Sequence, residues 1–143
     1  MLPLRSVPII VVAASLFACG GGDSQGPKLA DVAGAWRATW TNMSGGGHSC
    51  GLTLAMTLTH QGTAFTGSYS NAIVACDGQS SAPFTGTVVN GAVNGDQVSF
   101  DLDTTALHQT GSLSGASMSG PATWTLSSGT STIVLTGSWA ATR

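Results

Sequence analysis

The chain has 143 residues, of which 42% are hydrophobic and only 7% carry a charge. Four Lys and Arg stand against six acidic residues, all of them Asp, for a formal net charge of −2. Because no cluster of cations exists to neutralise phosphates, nucleic acid is excluded as a partner. The chain has no Glu and a single Lys, Lys28, which argues against long surface helices. Its length predicts one domain.

The first element along the chain is an apolar run over residues 7–18, preceded by one cation, Arg5. A membrane span needs about 20 apolar residues, so this shorter run predicts the core of a signal peptide. It ends in Leu16-Phe17-Ala18-Cys19, which resembles the lipobox of bacterial lipoproteins. The resemblance implies cleavage before Cys19 and a lipid-modified amino terminus. An ordinary secretory peptide is the alternative.

The next segment is rich in Gly, Ser, Gln, Pro and Asp, a composition that predicts a flexible tether of about 14 residues spanning roughly 20 Å. In enteric lipoproteins, Asp after the lipidated Cys causes retention at the inner membrane, so Gly20 implies the outer membrane. We therefore expect a signal peptide over residues 1–18, lipidated Cys19 with its tether over 19–33, and a folded domain over 34–143.

The cysteine count supports this division. Three cysteines are an odd number for an exported protein and would leave one thiol unpaired. Assigning Cys19 to lipid leaves Cys50 and Cys76 as an even pair in an oxidising compartment. We predict a disulfide between them, which would stabilise the fold by roughly 3–4 kcal/mol on the chain-entropy model. A metal site is the alternative, which the lack of a CxxC spacing disfavours.

From Gly34 onward, hydrophobic residues recur with a period of two, which predicts β-strands. Turn signals separate the strands, and Asn90-Gly91 is among them. The short connections favour antiparallel neighbours. Eight strands are predicted, at residues 36–40, 52–60, 65–69, 84–88, 98–102, 109–113, 118–126 and 133–141.

Eight such strands can form a closed barrel or a two-sheet sandwich. The first and last strands carry similar sequences, Gly34–Thr39 and Gly137–Thr142, and pairing first with last closes a barrel. We therefore predict an all-β, eight-stranded antiparallel up-and-down barrel, with the two-sheet β-sandwich as the alternative. Gly34-Ala35-Trp36 also resembles the Gly-x-Trp opening strand of lipocalins and avidins. A transmembrane barrel is disfavoured, because the chain has few aromatic residues for interfacial girdles.

The barrel interior is the predicted place of binding. Inward glycines such as Gly86 and Gly137 leave room for large side chains opposite them. An eight-stranded barrel is either filled by side chains or holds one small ligand, and we favour the filled core. If an apolar ligand binds, the candidate lining residues are the large ones with inward parity: Trp36, Trp40, Met56, Tyr69, Trp124 and Trp139.

The sequence contains no catalytic motif such as GxSxG, a P-loop or HExxH, so we predict that the chain is not an enzyme and holds no cofactor or metal. Asp101 and Asp103 point outward from their strand, and with Asp96 they could form a loose calcium site. Solubilising charge is the favoured interpretation. Zinc is disfavoured because the histidines lie in different segments without ligand spacing: His48, His60 and His108.

Two classes of function remain besides a purely structural role. The first is binding of a small apolar ligand inside the barrel. The second is interaction with an envelope protein, because Gly34-Ala35-Trp36, Cys50-Gly51-Leu52-Thr53-Leu54 and Cys76 resemble bacterial metalloprotease-inhibitor barrels, some of which are lipoproteins. We expect a monomeric, non-catalytic lipoprotein held at the outer membrane by its lipid, with the folded domain in the periplasm or at the cell surface.

Overall fold

A computed structural model of the chain describes residues 30–103 and 106–143. The predicted signal peptide, Cys19 and most of the tether lie outside the described residues. The described residues form strands and no helix. The strands are β1 Gly34–Gly45, β2 His48–Gln61, β3 Ala64–Cys76, β4 Gln79–Ser80, β5 Phe84–Asn94, β6 Gln97–Leu102, β7 Leu107–Ser114, β8 Ser117–Ser128 and β9 Ser131–Thr142.

Eight of these strands close an antiparallel barrel. In the order β1, β2, β3, β5, β6, β7, β8, β9, each strand pairs with the next one, and β9 returns to pair with β1. Trp40 lies opposite Trp139 at this closing seam. The short strand β4 is an addition that pairs only with the end of β3. The predicted eight-stranded up-and-down barrel is therefore confirmed, and the sandwich alternative is wrong.

Apolar side chains face the interior of the barrel and hydroxyl side chains face outward. On β2, the side chains from Leu52 to Leu58 that face inward are 1–5% exposed, whereas Thr53 and Thr57 between them are exposed. This polarity is the inverse of that in a transmembrane barrel, whose apolar band faces outward. None of the described residues belongs to a helix with the length and hydropathy of a membrane span.

Three asparagines introduce β-bulges that bend the long strands. Asn42 in β1, Asn71 in β3 and Asn90 in β5 have φ angles of 53°, 52° and 55°, and the register shifts at each of them. Asn tolerates this left-handed conformation, and a bulge increases the local bend and twist that barrel closure needs. The turn predicted at Asn90-Gly91 is therefore wrong, because this residue pair forms a bulge within β5 instead of reversing the chain.

Residues 30–33, here called the plug, lie across the end of the barrel at which β1 begins. Val32 is fully buried, and its carbonyl accepts a hydrogen bond of 2.8 Å from Trp36 Nε1. The Ala30 N–H donates to the carbonyl of Gly95 at 3.2 Å. The packed part of the chain therefore reaches back to residue 30, into the predicted tether, because Val32 supplies an apolar side chain that the barrel end can bury.

The opposite end of the barrel is here called the disulfide end. Cys50 on β2 lies directly opposite Cys76 on β3, with a distance of 4.1 Å between their Cα atoms and their sulfurs at disulfide-bonding distance. The N–H of Asp77 donates to the carbonyl of Ser49 at 2.9 Å beside this link. The two ends thus differ, because the plug lies across one of them and a covalent cross-link joins two neighbouring strands at the other.

Candidate functional site

The structure brings the six candidate ligand-lining residues together in a single hydrophobic core. Each of them is 1–3% exposed: Trp36, Trp40, Met56, Tyr69, Trp124 and Trp139. Trp40 stacks on Trp139 with 6.2 Å between ring centroids, and Phe100 meets Trp139 edge-on at 5.1 Å. These residues are therefore packed against one another, as a filled core requires.

One fully buried polar side chain, Gln109, crosses this core and was given no role by the sequence. Its Oε1 accepts a hydrogen bond from Trp40 Nε1 at 3.1 Å, and its Nε2 donates to the carbonyl of Phe100 at 2.8 Å. Trp139 Nε1 donates to the carbonyl of Thr110 at 2.8 Å. Most indole N–H groups of the core are thus engaged by the protein itself. The sequence does carry a signal for this role, because Gln109 is an amide side chain at a strand position where the alternation predicts an inward-facing apolar residue.

Two buried polar atoms depart from this pattern. Trp124 Nε1 and His60 Nε2 have no hydrogen-bond partner among the described residues. The His60 side chain is 10% exposed and lies near the plug, where its Nδ1 faces Asp31 Oδ1 at 3.3 Å. Because a carboxylate can only accept, Nδ1 donates there, and Nε2 is the ring nitrogen left without a described partner.

The inward glycines make room for neighbours that are already present. A Cβ at Gly111 would lie 3.1 Å from Cζ2 of Trp139, and one at Gly86 would lie 2.8 Å from Asp103 Oδ1 and closer still to the Tyr69 hydroxyl. Such distances are shorter than ordinary van der Waals contacts. The space opposite these glycines is therefore occupied by side chains of the protein.

The histidines of the chain are each paired with an aspartate through Nδ1. The distances are 2.7 Å for His48 to Asp77, 3.3 Å for His60 to Asp31 and 2.5 Å for His108 to Asp101. The first pair lies at the disulfide end, the second at the plug, and the third on the outer face of β6 and β7. No two pairs meet, so the structure does not assemble them into one site.

The described residues contain no group of three or more His, Cys, Asp or Glu that could hold a metal ion. Asp96 lies in the turn between β5 and β6, on the plug side of the barrel. Asp103 follows the opposite end of β6, where it accepts hydrogen bonds from the N–H and hydroxyl of Thr87. The calcium site considered for these aspartates is therefore wrong, because a strand separates them.

The aspartates of the three pairs have pKa values below their ordinary value of 3.8. For Asp77, the hydrogen bond with His48 lowers the pKa most, followed by the hydrogen bond from the Ser49 N–H. For Asp101, burial alone would raise the pKa, but hydrogen bonds from Asn90 and His108 together bring it below the ordinary value. The charged carboxylates are thus favoured by the fold.

Stability should consequently decline in acid. A folded pKa below 3.8 means that the stabilisation is present above that pH and is lost as the pH falls through the lowered pKa. We expect Asp77→Asn to lose less stability than the wild type when the pH falls from about 6 to about 3, as measured by urea unfolding. An identical acid dependence in both proteins would contradict this role of Asp77.

A groove of about 360 Å³ lies on the outer face of β1, β2 and β3, near the plug. Its polar lining consists of two arginines and four hydroxyl residues: Arg37, Arg143, Thr57, Ser68, Ser70 and Thr142. Ala35 and Ala55 form part of its floor, with Trp36 and Met56 behind them. A second groove of about 290 Å³ shares Arg37 and Ala55 and continues towards Asn71. The two together make an elongated depression on the outside of the barrel.

The two arginines of this groove differ in how they are held. Arg143 Nη1 donates to the carbonyl of Ala33 at 2.8 Å, and its Cζ lies 4.7 Å from the centroid of the Trp36 ring. Arg37 is exposed and lies opposite Thr142 on β9, and its side chain makes no hydrogen bond or ion pair with any described residue. Sequence reasoning missed this site, because its residues lie far apart in the chain and form no motif.

Comparison of the chain with protein-family models, with curated proteins and with solved structures finds no match. The resemblances to the lipobox, to lipocalins and avidins and to protease-inhibitor barrels therefore rest on the few residues that carry them. The barrel itself rests on the strand pairing observed in the structure.

Proposed function

We propose that this chain is a lipid-anchored, non-catalytic protein of the bacterial cell envelope whose barrel acts through its outer surface. The observation that carries the proposal is the use of the cysteines. Cys50 and Cys76 lie at disulfide distance within the fold, which leaves Cys19 to end the lipobox-like sequence. A disulfide also suits the oxidising compartment into which lipoproteins are exported.

The position of the plug supports a tethered arrangement. The chain enters the barrel through residues 30–33, so an anchor at Cys19 would lie on the plug side. The disulfide end would then point away from the membrane, and Gly20 favours the outer membrane as the place of anchoring.

The described side chains support a binding or structural role over catalysis. Each described histidine pairs with an aspartate, and none of them forms a hydrogen bond with a described Ser, Thr or Cys side chain that it could activate as a nucleophile. The packed interior offers no observation in favour of an apolar ligand, which stays a prediction. The groove beside Arg37 and Arg143 is a polar concavity on the outside of the barrel, and it favours action at the surface.

Cys19→Ser tests the anchor. We expect the wild type in the membrane fraction and the variant as an exported protein in the soluble fraction, because the variant has no thiol at which lipid can be attached. Cys76→Ser is the control, since it replaces a cysteine of the disulfide and leaves Cys19 in place, so this variant should stay with the membranes. If Cys19→Ser still sediments completely with the membranes, the proposed anchor is wrong.

A further inference from the structure

We infer that the groove between Arg37 and Arg143 binds an oxyanion carried by a polyhydroxylated, sugar-sized ligand, with its carboxylate or phosphate held by the two guanidinium groups. The inference deepens the proposed function and rests on its claim that the barrel acts through its outer surface. It does not depend on the lipid anchor. Its support comes from the charges, the hydroxyl groups and the dimensions of the groove.

The charge distribution is the first observation. The chain has a net charge of −2, yet no Asp side chain lines the groove, and two of its four cationic residues do. Asp31, which interacts electrostatically with Arg143, is already engaged with the Ala33 N–H at 2.9 Å and with His60. Asp31 offsets part of the charge of Arg143, but no described Asp forms an ion pair with Arg37, so the groove keeps an excess of positive charge, which favours an anionic ligand.

The donors of the two arginines are the second observation. A guanidinium presents five N–H donors in a planar fork that matches the oxygens of a carboxylate or phosphate. The Arg37 guanidinium donates to no described residue, and Arg143 uses Nη1 on the Ala33 carbonyl while its guanidinium lies over the Trp36 ring. Arg143 is thus held in place with donors remaining, so part of its side-chain entropy is lost before a ligand arrives.

The hydroxyl groups and the small floor are the third observation. Ala35, Thr57 and Ser68 lie opposite one another across β1, β2 and β3 and form one short row. Because the floor is made of small side chains, the groove stays open, and hydroxyls along it can both donate to and accept from a sugar. Its volume of about 360 Å³ suits a small ligand, and the adjoining groove of about 290 Å³ could take a second unit.

A neutral apolar ligand fits this groove poorly, because it would cover guanidinium groups without pairing them. The two arginines are also too few for a nucleic acid strand, which needs a line of cations along its backbone. A carboxylate and a phosphate both present anionic oxygens that accept hydrogen bonds from arginine. The experiment therefore compares ligands that carry one or the other of these groups.

The test is calorimetric titration of the full-length chain in detergent with glucuronate, glucose 6-phosphate, glucose and inorganic phosphate. We expect saturable binding of one or both sugar anions, weakened by salt, and no binding of glucose. The sugar anion that binds with the higher affinity shows whether the site recognises a carboxylate or a phosphate. Inorganic phosphate should bind more weakly than the sugar anions, because it lacks the hydroxyls that the groove complements.

Two variants and one control assign the binding to the groove. Arg37→Gln should weaken the binding about tenfold or more without changing the unfolding curve, because this exposed side chain forms no hydrogen bond or ion pair with a described residue that the substitution would remove. Arg143→Lys should also weaken it, because the charge remains but the planar fork is lost. His108→Gln, on β7 across the barrel, should bind as the wild type does.

Three results would overturn the inference: no saturable binding of either sugar anion, equal binding of inorganic phosphate, or unchanged binding by Arg37→Gln. The anchor is judged separately by the fractionation of Cys19→Ser. If the sugar anions fail to bind while Cys19→Ser leaves the membrane, the groove inference is wrong and the anchor stands. If they bind while Cys19→Ser stays on the membrane, the anchor is wrong and the groove stands.

Discussion

Gly137→Leu is expected to lower the free energy of unfolding by roughly 1–3 kcal/mol or more, because the barrel has no space for the new side chain. A Cβ at this position would lie 2.7 Å from the carbonyl oxygens of Thr41 and Asn42 and from Sδ of Met43. These atoms belong to the bulge of β1, whose Asn42 has a φ of 53°. The backbone of the bulge therefore has to move before any side chain fits at Gly137.

Urea unfolding followed by Trp fluorescence measures this effect, since the core contains four tryptophans. Thr136→Leu is the matched control, because Thr136 is the preceding residue on β9 and is exposed on the outer face. A surface substitution of this kind should change stability by less than about 0.5 kcal/mol. If Gly137→Leu is as stable as the control, the interior holds unfilled space, and binding of an apolar ligand there gains support.

Loss of the disulfide is the second large effect that we expect. Cys50→Ala and Cys76→Ala should each destabilise the domain by roughly 3–4 kcal/mol, because the link closes a loop between residues 26 positions apart. The double variant should be no less stable than either single variant, since the first substitution already removes the bond. Additive losses would instead mean that the two cysteines act independently.

A reductant supplies the control for this experiment. Cys50 is 6% exposed and packs in the core, so its replacement also removes packing contacts. Reduction of the wild type removes the bond and leaves both side chains in place. We expect the reductant to bring the stability of the wild type close to that of Cys76→Ala and to leave the variant unchanged. If the reductant leaves the stability of the wild type unchanged, a stabilising role for the bond is contradicted.

Much of the fold could be predicted from the alternation of side chains. The structure confirms the inward orientation predicted for the four tryptophans Trp36, Trp40, Trp124 and Trp139. A strand in a barrel with an apolar interior has one apolar and one polar face. The similarity between the first and last strands also predicted the closing pair of β1 and β9. The first inference needs only residues that are neighbours along one strand, and the second needs only a comparison of two segments of the sequence.

The candidate site could not be predicted in the same way. Arg37 and Arg143 lie more than a hundred positions apart in the chain, and each looks like an isolated surface charge in its own segment. They reach one groove because β1 pairs with β9 on one side and with β2 on the other. The role of Gln109 was equally hidden, since its partners Trp40 and Phe100 are brought to it from two other strands.

The sequence by itself determined the strand content, the inward and outward faces and the absence of catalytic motifs, because these depend on residue types and their local spacing. The tertiary structure decided whether Asn90-Gly91 forms a turn or a bulge, because the left-handed φ of Asn90 suits both and strand pairing selects one. It also decided that Val32 belongs to the core and that two distant arginines share a groove. Burial and proximity arise only once the barrel closes, since closure sets which surfaces meet.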